Sequence, residues 1–105
     1  MIIVTTRDVP GLRVSVALGL VRGNTIRARN IFSDLVAVLR NITGGEVKEY
    51  TKMLAEAREQ AIDRMIEEAE ALDADAVVNV RFSTSMVMRG AAEMLCYGTA
   101  VKLER

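Results

Sequence analysis

The chain of 105 residues contains no histidine, no tryptophan, a single cysteine and a single proline. Without histidine it cannot build a Ser-His-Asp or Cys-His nucleophile, nor a histidine-rich zinc site. One cysteine makes no intrachain disulfide and suits a reducing compartment, so a cytoplasmic location is the expectation. The formal charge is zero, from 14 basic and 14 acidic side chains. The net basicity that marks a nucleic-acid surface is therefore missing. A spanning helix needs about 20 apolar residues, and the apolar stretch near the start, Val16 to Val21, is short and broken by Gly19. No secretory pattern precedes it, so Asn41-Ile42-Thr43 is read as a chance match to the glycosylation signal. Neither nucleic acid nor membrane is an expected partner. The glycines at 11, 19, 23, 44, 45, 90 and 98 form no P-loop and no GxGxxG pattern, so nucleotide binding has no motif behind it.

What is present points to one globular domain over residues 1–105. Half of the residues are hydrophobic and the mean hydropathy is +0.19, which excludes a disordered chain. Charge is unevenly placed. Residues 1–45 carry a balance of +4, residues 46–75 of −6 and residues 76–105 of +2.

Ile2-Ile3-Val4-Thr5-Thr6 is β-branched throughout and reads as a first strand, closed by a loop at Pro10-Gly11. Leu12 to Val21 reads as a second strand, with Val14, Val16, Leu18 and Leu20 on one face and Gly23-Asn24 as the turn that follows. Asn30 has the chemistry of an N-cap. The recurrence of Ile31, Leu35, Leu39 and Ile42 predicts a short helix that Gly44-Gly45 would end. A long helix is predicted from Glu49 to Leu72, free of Pro and Gly. Leu54, Ala57, Ala61, Met65, Ala69 and Leu72 trace its apolar face, and Glu56, Glu59, Asp63, Glu67 and Glu70 its acidic one. Ala76 to Phe82 reads as a strand with Val78, Val80 and Phe82 facing one way. Ser83 to Ala92 reads as a hairpin-like connection turning at Gly90, and Glu93 to Leu103 as the last strand. That strand places Leu95, Tyr97, Thr99, Val101 and Leu103 on one face and Met94, Cys96, Gly98 and Ala100 on the other. The fold class is α+β: a largely antiparallel sheet with one short and one long helix on one face.

Few residues offer chemistry. Cys96 is the only cysteine candidate for a metal. Alone it falls short of a site, which needs about four ligands, unless several subunits each contribute one around an axis; a small buried hydrophobe is the commoner fate of a free cysteine. The Met86/Met88 pair would put two sulfurs on one strand face, either as soft ligands or as packing. The acidic helix face could attract a hard cation, though such a face is usually just solvated. Glu93 is the one carboxylate within a strand region. Arg22, Arg27 and Arg29 form a small basic cluster. No nucleophile–base constellation is visible, so an enzyme is not expected.

The run Gly23 … Ala28-Arg29-Asn30-Ile31-Phe32-Ser33-Asp34, then Gly44-Gly45 and Tyr50, resembles the YbjQ-like family. So do Ala57-Arg58-Glu59, Ala71-Leu72, Ala74-Asp75-Ala76-Val77-Val78 and the ending Gly98-Thr99-Ala100-Val101-Lys102. The resemblance covers nearly the whole chain and marks Asn30, Gly44, Gly45 and Gly98 as structural positions. It implies a compact fold similar to dodecin-like folds, assembled as a ring-like homo-oligomer, a pentamer. The family carries a heavy-metal-binding label and no defined biochemical function. Asp73 and Asn79 stand where the family usually has glycine, and Arg29 departs from its Gly-Ala-Asn. With no histidine, a soft-metal site in this chain would have to come from Cys96 and the methionines of several copies. Three readings stay open: a homo-oligomeric binding or structural module, metal or metalloid binding at a subunit interface, and a small-molecule site between subunits.

Overall fold

The computed structural model describes residues 1–28, 48–88 and 91–105. Four strands and one helix occupy them: β1 (Ile2–Ile3), β2 (Arg13–Ala28), α1 (Lys48–Ala71), β3 (Ala76–Met88) and β4 (Ala91–Glu104). The strands form one mixed sheet in the order β1-β3-β4-β2. β1 runs parallel to β3, and β4 is antiparallel to both β3 and β2. The class is α+β, as the sequence implies. The predicted short helix, with Asn30 and Gly44-Gly45, lies outside the described residues, as does the turn at Gly90.

α1 matches the long predicted helix. Ala57, Ala61, Met65 and Ala69 recur every fourth residue and are buried, while Glu56, Glu59, Asp63, Glu67 and Glu70 are exposed. At about 1.5 Å per residue it spans roughly 36 Å. It ends in a Schellman motif: the Ala74 N–H donates to Ala69 O at 3.1 Å and the Asp73 N–H to Glu70 O at 2.9 Å. Asp73 holds the left-handed position of that motif, at φ 58°.

The helix lies close on the sheet because both surfaces are stripped of bulk. Val21, the helix-facing side of Gly23, Met94, Cys96 and Ala100 meet the alanine face of α1 in one buried cluster. Gly23 is in mid-strand rather than in a turn, which corrects the expectation for Gly23-Asn24. A Cβ there would strike the backbone of α1 at Ala61 O and Met65 N and lie 2.8 Å from Arg64 Cβ. Glycine is required by the helix above it, not by a bend. β2 therefore continues to Ala28. Next to Gly23, the buried Thr25 hydroxyl donates to Ala57 O at 2.9 Å, pinning the strand to the helix.

Simple alternation fails twice. In β2 the register against β4 shifts between Val14 and Val16 and again between Ala17 and Gly19. Leu18 packs against the cluster under α1, whereas Leu20 turns to the other face and is 61% exposed. Gly19, at φ 126°, accommodates the second shift. In β3 the shift falls between Val78 and Arg81, with Asn79 at φ 55°. Val77 and Val80 consequently both join the α1 cluster. Val78 goes instead with Ala76 and Val101 to a second small core on the opposite face, against Val4, Val9 and Leu103. The expected face of Val78, Val80 and Phe82 is thus not formed. The first strand is shorter than predicted, yet its continuation stays bonded to the bulge: Asn79 N–H donates to Thr6 O at 2.9 Å and Val80 N–H to Val4 O at 3.0 Å. Ser83–Met88 belongs to β3 and Ala91–Ala92 to β4, so most of the expected connection is paired strand.

Candidate functional site

The residues singled out by sequence are spread over the sulfur-containing core under α1, the exposed side of α1 and the sheet face turned away from it. Cys96 and Met65 are both fully buried. The Cys96 thiol donates to Met65 Sδ at 3.5 Å. Burial raises the thiol pKa above its ordinary value, keeping the proton on sulfur. A second thioether, Met94 Sδ, accepts from Thr84 Oγ1 at 3.2 Å. Gly98 follows on the same strand, where a Cβ would meet Val77 Cγ1 at 2.6 Å and Val78 O at 3.0 Å. Cys96 lies inside one chain, beneath its own helix, and its thiol does not face outward to a neighbouring copy.

The other sulfur pair is separated. Met86 pairs with Ala92 and Met88 with Ala91. Those partners are adjacent on β4 and so face opposite ways. The register shift between the two methionines takes their side chains off a common face, which corrects the expectation of two sulfurs side by side. The basic cluster is also divided. Arg27 lies against α1, donating to Gln60 Oε1 at 3.0 Å and pairing with Glu56 Oε2 at 3.5 Å. Arg22 is five residues away and on the opposite face of β2. Arg29 lies outside the described residues. Glu93 is half-buried on the sheet, accepting from Asn24 Nδ2 at 3.3 Å and Ser85 Oγ at 3.5 Å. Among the described residues no group of three or more cysteine, aspartate or glutamate side chains is placed to hold a metal ion.

The face away from α1 carries a row that the sequence pattern did not reveal. Tyr97 of β4 is paired on one side with Arg22 of β2 and on the other with Arg81 of β3. Residues paired across strands share a face, so the aromatic ring stands between two arginines. Beyond it lie the exposed Leu20 and Ile26, at 61% and 60%. Only the strand register brings these residues together. The outer edge of β2 is treated differently, being bonded at Arg22 and Asn24 to side chains of α1. Arg64 donates to Asn24 O at 2.6 Å, and Glu68 accepts from the Arg22 N–H at 3.3 Å. This is a recognised way to protect a strand edge.

Together these observations define a small α+β protein whose helix α1 covers the middle of one sheet face, while the other face is exposed around Leu20, Ile26 and Tyr97. The YbjQ family model, described as "Putative heavy-metal-binding", matches residues 1–104. The chain belongs to this family. It is 58% identical over 103 residues to a UPF0145 protein of Methanosarcina acetivorans, covering 98% of this chain and 97% of that one. Another UPF0145 protein, from Archaeoglobus fulgidus, is also 58% identical over 103 residues, with 98% and 95% covered. One from Thermosipho africanus is 53% identical over 105 residues, with 100% and 97% covered. A crystal structure of a DUF74-family protein of unknown function from Pediococcus pentosaceus superposes with a TM-score of 0.62 at 14% identity, over 99% of this chain and 98% of that one, a likeness of fold.

The family description implies a heavy metal, and the donor set does not fit one. A soft cation wants thiolates or thioethers, and a borderline one such as zinc also takes imidazoles; the two exposed thioethers of β3, Met86 and Met88, stand on different faces. The chain has no histidine and one cysteine, and that cysteine is sealed, protonated and already bonded to Met65.

Proposed function

We propose that the protein is a non-catalytic, homo-oligomeric structural or binding module of the cytoplasm, built as a ring of copies with dodecin-like packing. Five copies is the number the family resemblance implies. The supporting observation is the exposed part of the sheet face away from α1. It presents Leu20, Ile26 and Tyr97 beside Arg22 and Arg81, while the outward side of α1 presents Glu59, Asp63, Glu67 and Glu70. A basic, partly apolar face and an acidic face on opposite sides of one molecule are complementary between copies. They suit a head-to-tail contact, the kind that closes into rings. Among the described residues no helix is long and apolar enough to cross a membrane.

Light scattering on the intact protein tests this. The expected mass is a multiple of 11.5 kDa, falling towards the monomer in Ile26→Asp and Arg22→Glu, whose side chains are exposed in the single chain. A monomer at micromolar concentration refutes it.

A second reading, a small-molecule site between subunits, draws on an open cleft of about 440 Å³ lined by Arg27, Ala55, Glu56, Glu59, Gln60 and Asp63. A ligand-induced rise in Tm that disappears in an interface variant would support it over the purely structural reading.

A further inference from the structure

The one thiol of the chain is held inside its fold. In the folded chain the Cys96 thiol has no exposed surface. It points into the cluster of Val21, Ala61, Met65 and Ala100, and its proton lies towards Met65 Sδ at 3.5 Å. Above it passes the backbone of α1, which lies so close to β2 that not even a Cβ fits at Gly23, the residue paired with Cys96 across the sheet. A cation therefore cannot reach the sulfur, or take the place of its proton, while α1 is seated. In the unfolded chain the same thiol is free to ionise and is the strongest soft donor present, since there is no histidine and the other sulfurs are thioethers.

We propose that thiophilic metal ions bind the unfolded chain of this protein in preference to the folded one, and so destabilise it, with Cys96 acting as a packing group of the core. A ligand that prefers the unfolded state shifts the equilibrium towards it by mass action. This is the opposite of what a resident heavy-metal site would do, because such a site contributes its binding energy to folding. The inference rests on the surroundings of Cys96 within one chain and stands apart from the oligomeric reading above.

The test uses the intact wild-type protein with cadmium(II) as the probe and magnesium(II) as the control, at fixed protein concentration. Cadmium should lower Tm, by roughly 10–20 °C when it is about a hundredfold above its Kd for the unfolded chain. Magnesium should leave Tm unchanged, and Cys96→Ala should abolish the cadmium effect. Should that variant fail to fold, thiol labelling of the wild type decides. A disulfide reagent should modify Cys96 at least about 100-fold more slowly in buffer than in denaturant, because labelling must await opening of the core. A Tm that rises or stays constant with cadmium, a sulfur-to-cadmium charge-transfer band in the folded protein, or native labelling within tenfold of the denatured rate would each overturn the proposal.

Discussion

Gly23→Ala tests the central packing claim, that α1 is seated on bare strand backbone. The added methyl would lie 2.8 Å from Arg64 Cβ, and it also strikes Ala61 O and Met65 N. Ordinary van der Waals contact begins at 3.4 Å, so the carbon–carbon contact alone is short by about 0.6 Å. The two backbone contacts are worse and cannot rotate away as a side-chain tip could. α1 must lift, yet it is held nearby by the Thr25–Ala57 hydrogen bond and by the buried Met65 and Ala69. A gap of 0.5–1 Å forfeits about a quarter to a half of each dispersion contact along the seam. Overpacking typically costs about 1–3 kcal/mol, and a clash with helix backbone belongs at the upper end. About 3 kcal/mol corresponds to a fall in Tm of roughly 10–20 °C for a domain of this size. Far-UV circular dichroism melts at one fixed protein concentration measure it. Gly11→Ala is the control: Gly11 has φ 85° and nothing within 4 Å, so only backbone strain of about 1 kcal/mol is added. The reasoning fails if Gly23→Ala melts within about 2 °C of wild type, or no lower than the control.

Other substitutions probe separate parts of the argument. Thr25→Val removes the buried donor to Ala57 O; chemical denaturation should show a loss of about 1–2 kcal/mol with an unchanged m-value, and a loss below the error of the fit counts against the strand-to-helix pin. At the bulge, Asn79 has φ 55°. Asn79→Ala should destabilise by about 1–2 kcal/mol while Asn79→Gly is neutral or gains up to about 1 kcal/mol; the reverse order in urea titrations would contradict the left-handed assignment. Burial raises the Cys96 pKa, so the native state holds its proton longer than the unfolded state does. That contribution is complete below the unfolded thiol's pKa of about 8.5 and is lost as pH rises through it towards the folded value. Wild-type stability should therefore fall relative to Cys96→Ala between neutral pH and pH of about 10, and parallel profiles would show that the thiol is not sealed.

How much was legible in the sequence follows from which signals are local. The helix Lys48–Ala71 lies within a residue of its predicted bounds because its period, composition and missing breakers all agree. The shared face of Met94, Cys96, Gly98 and Ala100 was also readable, as β4 keeps strict alternation through them; the helix packed above them is what buries it. Gly23-Asn24 misled because glycine has two uses. Local chemistry suggests a turn, and only the helix overhead, 38 residues further along at Ala61, shows that the position is one of close approach. The faces of β2 and β3 misled because a bulge changes the phase of every later side chain, and the shifts near Leu18 and Asn79 leave no apolar signature. Asp73 and Asn79 stood out only as departures from the family's glycines. Both have positive φ, which is the backbone reason glycine suits those positions.

The sequence by itself determined the class of this protein: an α+β fold, a long acidic helix with an alanine face, no histidine chemistry, and a single thiol on the small-residue side of the last strand. These properties depend on residue type and on spacing within one element, which is information the chain carries locally. The tertiary structure alone decided the rest. It placed Tyr97 between Arg22 and Arg81, bonded the edge of β2 to Arg64 and Glu68, separated Met86 from Met88, and buried Cys96 against Met65. Each of these depends on register and on which backbones come within contact of one another, and no single segment encodes that. The fate of the thiol is the clearest case: composition left it free to bind metal, and the seat of a helix on a glycine took it out of reach.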